Sequence, residues 1–139
     1  MALLGPEVRS KIGETEKLTI NLGVVDLGQI DLLVQEGFYS NRTDLIRTAI
    51  RNQLVAHSEA LKRTVARRTL VLGLQHFSRA DLERAQASGQ MLQIQVVGLA
   101  RIADDVPPEL ARATIQSIEV LGAFHASAAV RTALADRML

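Results

Sequence analysis

Residues 17–22 read KLTINL and alternate between polar and apolar side chains. Leucine or isoleucine occupies positions 18, 20 and 22, while Lys17, Thr19 and Asn21 lie between them. A period of two predicts a β-strand with one apolar and one polar face. Residues 23–56 contain helical patterns and no second strand pattern, so the sequence offers this strand no neighbouring partner. Taken alone, the pattern also fits an ordinary half-buried strand whose polar face meets water.

Two helices are predicted after the strand. Apolar side chains recur at helical spacing in residues 24–36, and Gly37 follows as a stop signal. The second helix is predicted to begin at Ser40 as its N-cap, with Asp44 in the first turn, where a negative charge suits the helix dipole. Its predicted apolar stripe, continued through Leu61 and Val65, consists of Leu45, Ile46, Ala49, Ile50 and Leu54.

One strand and two helices of this length cannot form a stable core by themselves. An unpaired strand also leaves backbone groups without partners, and each such group costs about 1–3 kcal/mol when it is buried. A second copy of the chain solves both problems, because two strands can form an antiparallel ribbon about a two-fold axis with the helices packed beneath it. The sequence therefore predicts an intertwined homodimer.

The strand, the glycine between the helices and the stretch SNRTDLIRTAIR at 40–51 resemble the ribbon-helix-helix family of bacterial DNA-binding proteins, the CopG, Arc and MetJ group. The resemblance covers about residues 16–56. It implies a sequence-specific transcriptional regulator whose two-stranded ribbon enters the major groove of double-stranded DNA. On that resemblance, Lys17, Thr19 and Asn21 are the base-reading side chains.

The chemistry of the three side chains suits this role. The major groove admits a two-stranded ribbon, Lys can donate to guanine, Asn can pair with adenine, and Thr can meet a thymine methyl group. The resemblance also implies a phosphate site at the start of the second helix, formed by Ser40, Asn41 and Arg42. The free N–H groups and positive dipole of a helix N-terminus attract an anion. Arg47 and Arg51 are expected to be a solvated face of the same helix.

The second half of the chain contains a repeat. Residues 94–115 align with 118–139 at a spacing of 24 residues, and a fainter copy begins at Val71, 25 residues before Val96. Each unit is predicted to be a short strand, a glycine, a loop and a short helix. Successive units of this kind favour parallel strands with the helices on one side.

Helix N-caps are predicted in this half at Ser78 and Asp105. Three units are close to the minimum for a small solenoid, whose open ends can pair with another chain. Residues 70–139 are therefore predicted to form a second dimerisation or oligomerisation surface. The alternative is that both copies fold together within one dimer and bind nothing further.

The predicted fold class is α+β, with an N-terminal ribbon-helix-helix intertwined dimer followed by a small, solenoid-like βα-repeat domain. Residues 57–69 include Lys62, Arg63, Arg67 and Arg68. They are expected to be a solvated helix end, with contacts to flanking DNA phosphates as the alternative. The predicted divisions are a flexible arm at 1–15, the DNA-binding domain at 16–56, the basic connector at 57–69 and the repeat domain at 70–139.

Other functional classes find little support in the sequence. Charge is nearly balanced, with 16 basic and 15 acidic residues, and the absence of cysteine excludes disulfides and thiolate chemistry. His57, His76 and His125 do not cluster, and the adjacent Asp104 and Asp105 suit a helix start better than acid–base catalysis. We expect no enzyme activity, no metal site and no cofactor. Without a signal peptide or membrane span, a cytoplasmic location is expected.

Two further interpretations remain open at this point. The chain could be a scaffold or self-assembling protein that uses the ribbon-helix-helix fold for dimerisation only, with the repeats as its functional surface. An antitoxin is a third possibility, although antitoxin tails are usually polar and disordered before binding. This sequence has a regular, largely apolar repeat in that position.

Overall fold

The computed structural model describes residues 15–139, so the arm predicted for 1–15 lies outside the described residues except for its last position. The described chain divides into two compact units, Thr15–Thr64 and Val65–Leu139. Helices and a three-stranded sheet occur together, which confirms the α+β class. The intertwined dimer and the solenoid remain predictions.

The first unit starts with segment 15–23, which belongs to no helix or strand, and continues with helices α1 (Val24–Gln35) and α2 (Arg42–Ala56). Gly37 ends α1 in the left-handed conformation, with φ +85°. The N–H groups of Gly37 and Phe38 donate to the carbonyls of Val34 and Leu33, at 3.1 and 2.9 Å. These two bonds form a Schellman motif, in which glycine is favoured because its φ is positive. The predicted stop signal is confirmed.

Two predictions about α2 are wrong. Asn41 is the N-cap instead of Ser40, because Asn41 has extended backbone angles and its side chain accepts a hydrogen bond from the N–H of Asp44 at 2.8 Å. The apolar stripe does not continue in one helix to Val65, since α2 ends at Ala56 and His57 is its C-cap. A separate helix α3 follows (Ser58–Arg67).

The second unit contains three parallel strands that alternate with helices. The strands are β1 (Val71–Phe77), β2 (Leu92–Ile102) and β3 (Ile115–His125), in the sheet order β1-β2-β3. The helices are α4 (Arg79–Ala87), α5 (Pro108–Thr114) and α6 (Ala128–Ala133), and a 3-10 turn (Ala135–Arg137) follows them.

The core of this unit lies between one face of the sheet and the three helices. Alternate residues of β2, namely Ile94, Val96, Ala100 and Ile102, pack with Leu82, Leu110, Ala111, Val130 and Leu134 from the helices. Thr114 is buried among them, and its hydroxyl donates to the carbonyl of Leu110 at 2.8 Å. The helices thus cover one face of the sheet, as the repeat predicts.

One of the two N-caps predicted for the repeat helices is confirmed, and the other is wrong. Ser78 caps α4 in a capping box with Asp81, which confirms that prediction. Asp105 does not cap α5, because Pro107 holds the extended N-cap position and Pro108 is the first helical residue. Proline is favoured there, since its missing N–H would have no partner in the helix.

The glycine of each repeat lies inside its strand, so the predicted order of strand, glycine and loop is wrong. Gly73, Gly98 and Gly122 are paired with one another across the sheet and have φ values of +134°, +139° and +122°. A Cβ on Gly98 would lie 2.1 Å from the carbonyl oxygen of Gly73, and one on Gly122 would lie 2.1 Å from that of Gly98. Glycine is required at both positions because neighbouring backbone fills the space of a side chain.

The end of the chain is fixed to the start of β3. The N–H of Leu139 donates to the carbonyl of Ile118 at 2.8 Å, and a guanidinium nitrogen of Arg137 donates to the carbonyl of Ile115 at 2.7 Å. Arg112 of α5 forms a bidentate pair with Asp136, with N–O distances of 2.8 and 3.1 Å. These contacts cover the outer edge of β3 near its amino end.

The glycine row gives a stability prediction with an internal control. Gly73→Ala meets no atom within 4 Å and introduces only a strained backbone angle, which costs about 1–3 kcal/mol. Gly98→Ala adds the clash with the Gly73 carbonyl to the same strain, so we expect a loss above about 4 kcal/mol or failure to fold. Urea unfolding of the full-length chain measures both. Equal losses for the two variants would contradict the close backbone approach.

Candidate nucleic-acid interface

The segment KLTINL is exposed along its length and belongs to no helix or strand of the described residues. Within residues 15–139, no strand is paired with it. Lys17, Thr19 and Asn21 are all exposed, in alternation with the apolar row. A β-strand conformation would place the three polar side chains on one face of the segment.

The apolar row of this segment is exposed to different degrees along its length in the described chain. Leu18, Ile20 and Leu22 are 81%, 59% and 42% exposed. Over the whole range 15–64, which is fully described, no residue is buried. Extensive exposed apolar surface of this kind marks an interaction site. The other large apolar side chains exposed in this unit are Val24, Val25, Leu32, Leu33, Phe38, Ile50, Leu54, Val55 and Leu61.

The start of α2 is organised by the carboxylate of Asp44. Its Oδ2 accepts from the backbone N–H of Ser40 at 3.0 Å and from the Ser40 hydroxyl at 3.3 Å. The Asp44 N–H in turn donates to the Asn41 side chain. The first N–H groups of a helix have no acceptor within the helix, and here those of Arg42 and Thr43 are in that position. An anion arriving at this end would therefore share the site with the Asp44 carboxylate.

Arg42 is held by Asp31 of α1. Its Nε and Nη2 donate to the two carboxylate oxygens of Asp31 at 2.7 and 2.8 Å, which is a bidentate geometry. This hydrogen-bonded partner lowers the pKa of Asp31 below its usual value and raises the pKa of Arg42. Both side chains remain exposed, so the pair is open to competition from other ions.

Sequence reasoning did not identify Asp31 as part of this site. The two partners are separated by the turn around Gly37, and no local spacing rule connects them. The structure groups Ser40, Asn41 and Arg42 at one helix end and keeps Lys17, Thr19 and Asn21 on segment 17–22. Their proposed roles are not tested by these contacts.

The other charged groups of this half are exposed and partly paired. Arg47 and Arg51 are exposed on α2. Lys62 lies 3.7 Å from Glu59 on α3, and Arg68 pairs with Glu119 of β3. In residues 15–139 no three His, Cys, Asp or Glu side chains are grouped as a metal site would require. Over the same described range, no helix has the length and apolar character needed to cross a membrane.

Comparison with known families gives one match. A family model described as the Ribbon-Helix-Helix transcriptional regulator family matches residues 13–131. The match extends beyond the 16–56 stretch and includes β1, β2 and β3. No curated protein and no solved structure matches the chain significantly.

Proposed function

Since the chain belongs to the ribbon-helix-helix transcriptional regulator family, we propose that it is a sequence-specific DNA-binding regulator that acts as a homodimer. In this proposal residues 17–22 of two copies form an antiparallel ribbon that lies in the major groove. The observation that carries the proposal is a segment of alternating polar and apolar residues with an exposed apolar row, in a unit without a buried residue.

Dimerisation follows from the energetics of that unit. Full burial of an exposed Leu or Ile side chain contributes about 1.5–3 kcal/mol, and Leu18, which is 81% exposed, has the most surface left to bury in this row. A second copy supplies both the apolar helices that cover this row and the backbone partners of the strand. The single chain supplies neither within its described residues.

The alternation also restricts the register of the ribbon. Directly opposite residues of an antiparallel pair lie on the same face of the ribbon. The polar face is therefore uniform only when odd-numbered residues of one copy lie opposite odd-numbered residues of the other. For a segment at 17–22 the two-fold axis then passes through Thr19 or through Ile20. One of these two residues therefore lies directly opposite the same residue of the second copy.

We therefore predict rapid disulfide formation between copies for one of two variants, Thr19→Cys or Ile20→Cys. The chain has no native cysteine, so each variant carries a single thiol. Directly opposite Cα atoms in an antiparallel pair are about 4.5–5.5 Å apart, within the range of a disulfide. Mild oxidation followed by non-reducing electrophoresis measures the covalent dimer.

The matched control is Asn52→Cys, an exposed position on α2. It should form the covalent dimer slowly and in proportion to protein concentration. If neither Thr19→Cys nor Ile20→Cys is faster than this control, the two segments do not form a ribbon.

The polar face of the ribbon is proposed to read bases. Two copies would present Lys17, Thr19 and Asn21 twice, which fits a pseudo-palindromic site. The hydrogen-bonding capacity of these side chains matches the donor and acceptor pattern of the major groove. The phosphate contact is assigned to the start of α2, at Ser40, Asn41 and Arg42, where Arg42 would exchange Asp31 for a DNA phosphate.

Asn21→Ala and Lys17→Ala should change which DNA sequences are preferred. The loss is expected to be about 1–3 kcal/mol at the base pair that each side chain contacts. Selection from random double-stranded DNA, repeated with each variant, measures the preference. Asn52→Ala removes an exposed amide elsewhere and should leave the preference unchanged. An unaltered preference in both ribbon variants would show that the ribbon does not read sequence.

Arg42→Gln should act differently from the base-reading variants. It should weaken binding to all sequences by a similar factor and lower the salt dependence by about one phosphate contact. Asp31→Asn removes the competing carboxylate and should tighten binding instead. Titrations at several salt concentrations measure both effects. If Asp31→Asn weakens binding as much as Arg42→Gln does, the Arg42–Asp31 pair itself, and not free Arg42, supports the interface.

A second self-association surface is proposed on the sheet face opposite the helices. The register forms two aliphatic rows there, Leu72–Val97–Leu121 and Leu74–Leu99–Ala123. Leu99 on the central strand is 6% exposed, whereas Leu121 on the outer strand is 48% exposed. The proposed occupant is the same face of a second copy, because dimerisation through residues 16–56 holds the two C-terminal units at a high effective concentration.

Leu121→Lys tests this surface. If a second copy covers it, the substitution should cost more than about 2 kcal/mol and lower the urea midpoint in a manner that depends on protein concentration. Ala113→Lys, on the exposed side of α5, is the control and should change stability by less than about 0.5 kcal/mol. Equal, small effects of the two variants would show that the face stays in water.

The alternative function is a scaffold that retains the fold for dimerisation only. It shares the proposed dimer and sheet contact, and it differs in having no preferred DNA sequence. Covalent dimer formation at Thr19 or Ile20 without enrichment of any DNA sequence in the selection would favour the scaffold.

A further inference from the structure

The two edges of the three-stranded sheet differ in how the chain covers them. At the outer edge of β3, the carbonyl of Ile118 accepts from the N–H of Leu139 at 2.8 Å, and the carbonyl of Phe124 accepts from a guanidinium nitrogen of Arg131 at 2.7 Å. The chain's own groups therefore occupy both ends of that edge. At the other edge of the sheet, no strand of the described residues lies beside β1.

The backbone groups that face the open edge of β1 can be identified from the glycine row. The carbonyl oxygen of Gly73 fills the place of a Cβ on Gly98, so it points towards β2. A trans peptide directs its C=O and N–H in opposite directions, and the N–H of Leu74 therefore points to the open edge. Successive residues of a strand alternate in this respect. His76 then faces the open edge as well, and the N–H of Gln75 faces β2.

The side chains of β1 do not protect this edge. Natural edge strands are usually blunted by charged residues, by proline or by a bulge. The seven residues of β1, VLGLQHF, include no Asp, Glu, Lys, Arg or Pro, and they pair with β2 without a break in register. Val71, Leu72 and Leu74 are 42%, 72% and 49% exposed. Such an edge favours pairing with a further strand.

We propose that the β1 edges of two copies of the chain pair in antiparallel orientation and join two three-stranded sheets into one sheet of six strands. The occupant is a second copy because each copy brings the same open edge, so a single two-fold contact satisfies both rows of backbone groups. No like charges meet across the contact, since β1 has no acidic residue, Lys or Arg.

The β3 edge of another copy fits β1 less well. Pairing along its length would displace Leu139 and Arg131 from the carbonyls that they bind. The contact between β1 edges needs only the C-terminal unit, so the inference does not depend on the ribbon or on DNA binding. The edge is also a different surface from the sheet face, and one copy can form both contacts, each with a different neighbour.

The register of the paired edges follows from the backbone directions. Residues whose N–H and C=O groups face the edge must lie opposite one another, so even-numbered residues are opposite even-numbered residues. Pairing of the whole range 71–77 then places the two-fold axis at Leu74. Leu74 lies directly opposite Leu74 of the second copy, and Leu72 lies opposite His76 of the second copy.

Single-cysteine variants of the full-length chain test this register, because the chain has no native cysteine. Leu74→Cys should form a covalent dimer under mild oxidation at least about tenfold faster than Leu72→Cys, since directly opposite Cα atoms are within disulfide range. Leu72→Cys is the matched control on the same face of the same strand. In the proposed register its two thiols are four residues apart along the strands, about 13 Å.

Equal rates for the two variants, or a faster Leu72→Cys, would overturn the proposal. Failure of the ribbon is recognised separately, because it is measured at Thr19 and Ile20 and leaves the result at Leu74 unchanged.

Hydrogen exchange of the unaltered chain, resolved by residue with NMR, tests the contact without a substitution. The N–H of Gln75 pairs within the sheet and serves as the internal control. The N–H of Leu74 should be protected at high protein concentration and should lose at least about tenfold of its protection on dilution, while Gln75 keeps its own. A Leu74 amide that exchanges freely at every concentration would overturn the proposal. Protection that dilution does not change would overturn it too, because the chain's own residues would then cover the edge.

Discussion

Pairing of strand backbone groups is the constraint on which this molecule depends. In the C-terminal unit it is met within one chain, because each strand follows a helix that returns it beside its predecessor. In the N-terminal unit the segment 17–22 has no strand beside it over the described residues. The same requirement therefore leads to a self-contained core in one unit and to a proposed intertwined pair in the other.

The two units also differ in how they use arginine. Arg112 and Arg137 hold the end of the chain against α5 and β3 through carbonyls and a carboxylate. Arg42 has an exposed carboxylate as its partner, and Arg101 and Arg131 line a cleft. Arg137, bound to a backbone carbonyl of its own unit, is structural, whereas the exposed Asp31 carboxylate leaves Arg42 open to exchange with another ion.

The spacing of apolar residues, the stop signal at Gly37 and the internal repeat were sufficient to predict much of the fold. Helical spacing and Gly37 located α1 and its end, and the repeat predicted parallel strands whose register aligns Val71, Val96 and Val120. These signals succeed because they reflect local backbone preferences or repeated packing. The resemblance of residues 16–56 to the ribbon-helix-helix family is confirmed as well, because this stretch lies within the family match.

The predictions that proved wrong, and the contact that was not predicted, have physical causes. Ser40 and Asn41 are both good N-caps, and the choice was made by the Asp44 carboxylate, which binds the N–H of Ser40 and leaves the cap to Asn41. The repeat glycines look like strand ends in sequence. They are internal because a neighbouring carbonyl occupies the position of a side chain, and such a contact between distant residues leaves no local pattern. The pair between Arg42 and Asp31 is non-local for the same reason.

The uneven burial of the two units has a consequence for hydrogen exchange. Amide protons of β2 lie between two strands and beneath a complete core, so they exchange only when the C-terminal unit opens. Amide protons of residues 17–22 have no strand partner within the described chain, and the proposed ribbon would protect them. The fraction of these segments that is protected from deuterium at a given protein concentration would then measure the fraction of chains in the proposed dimer.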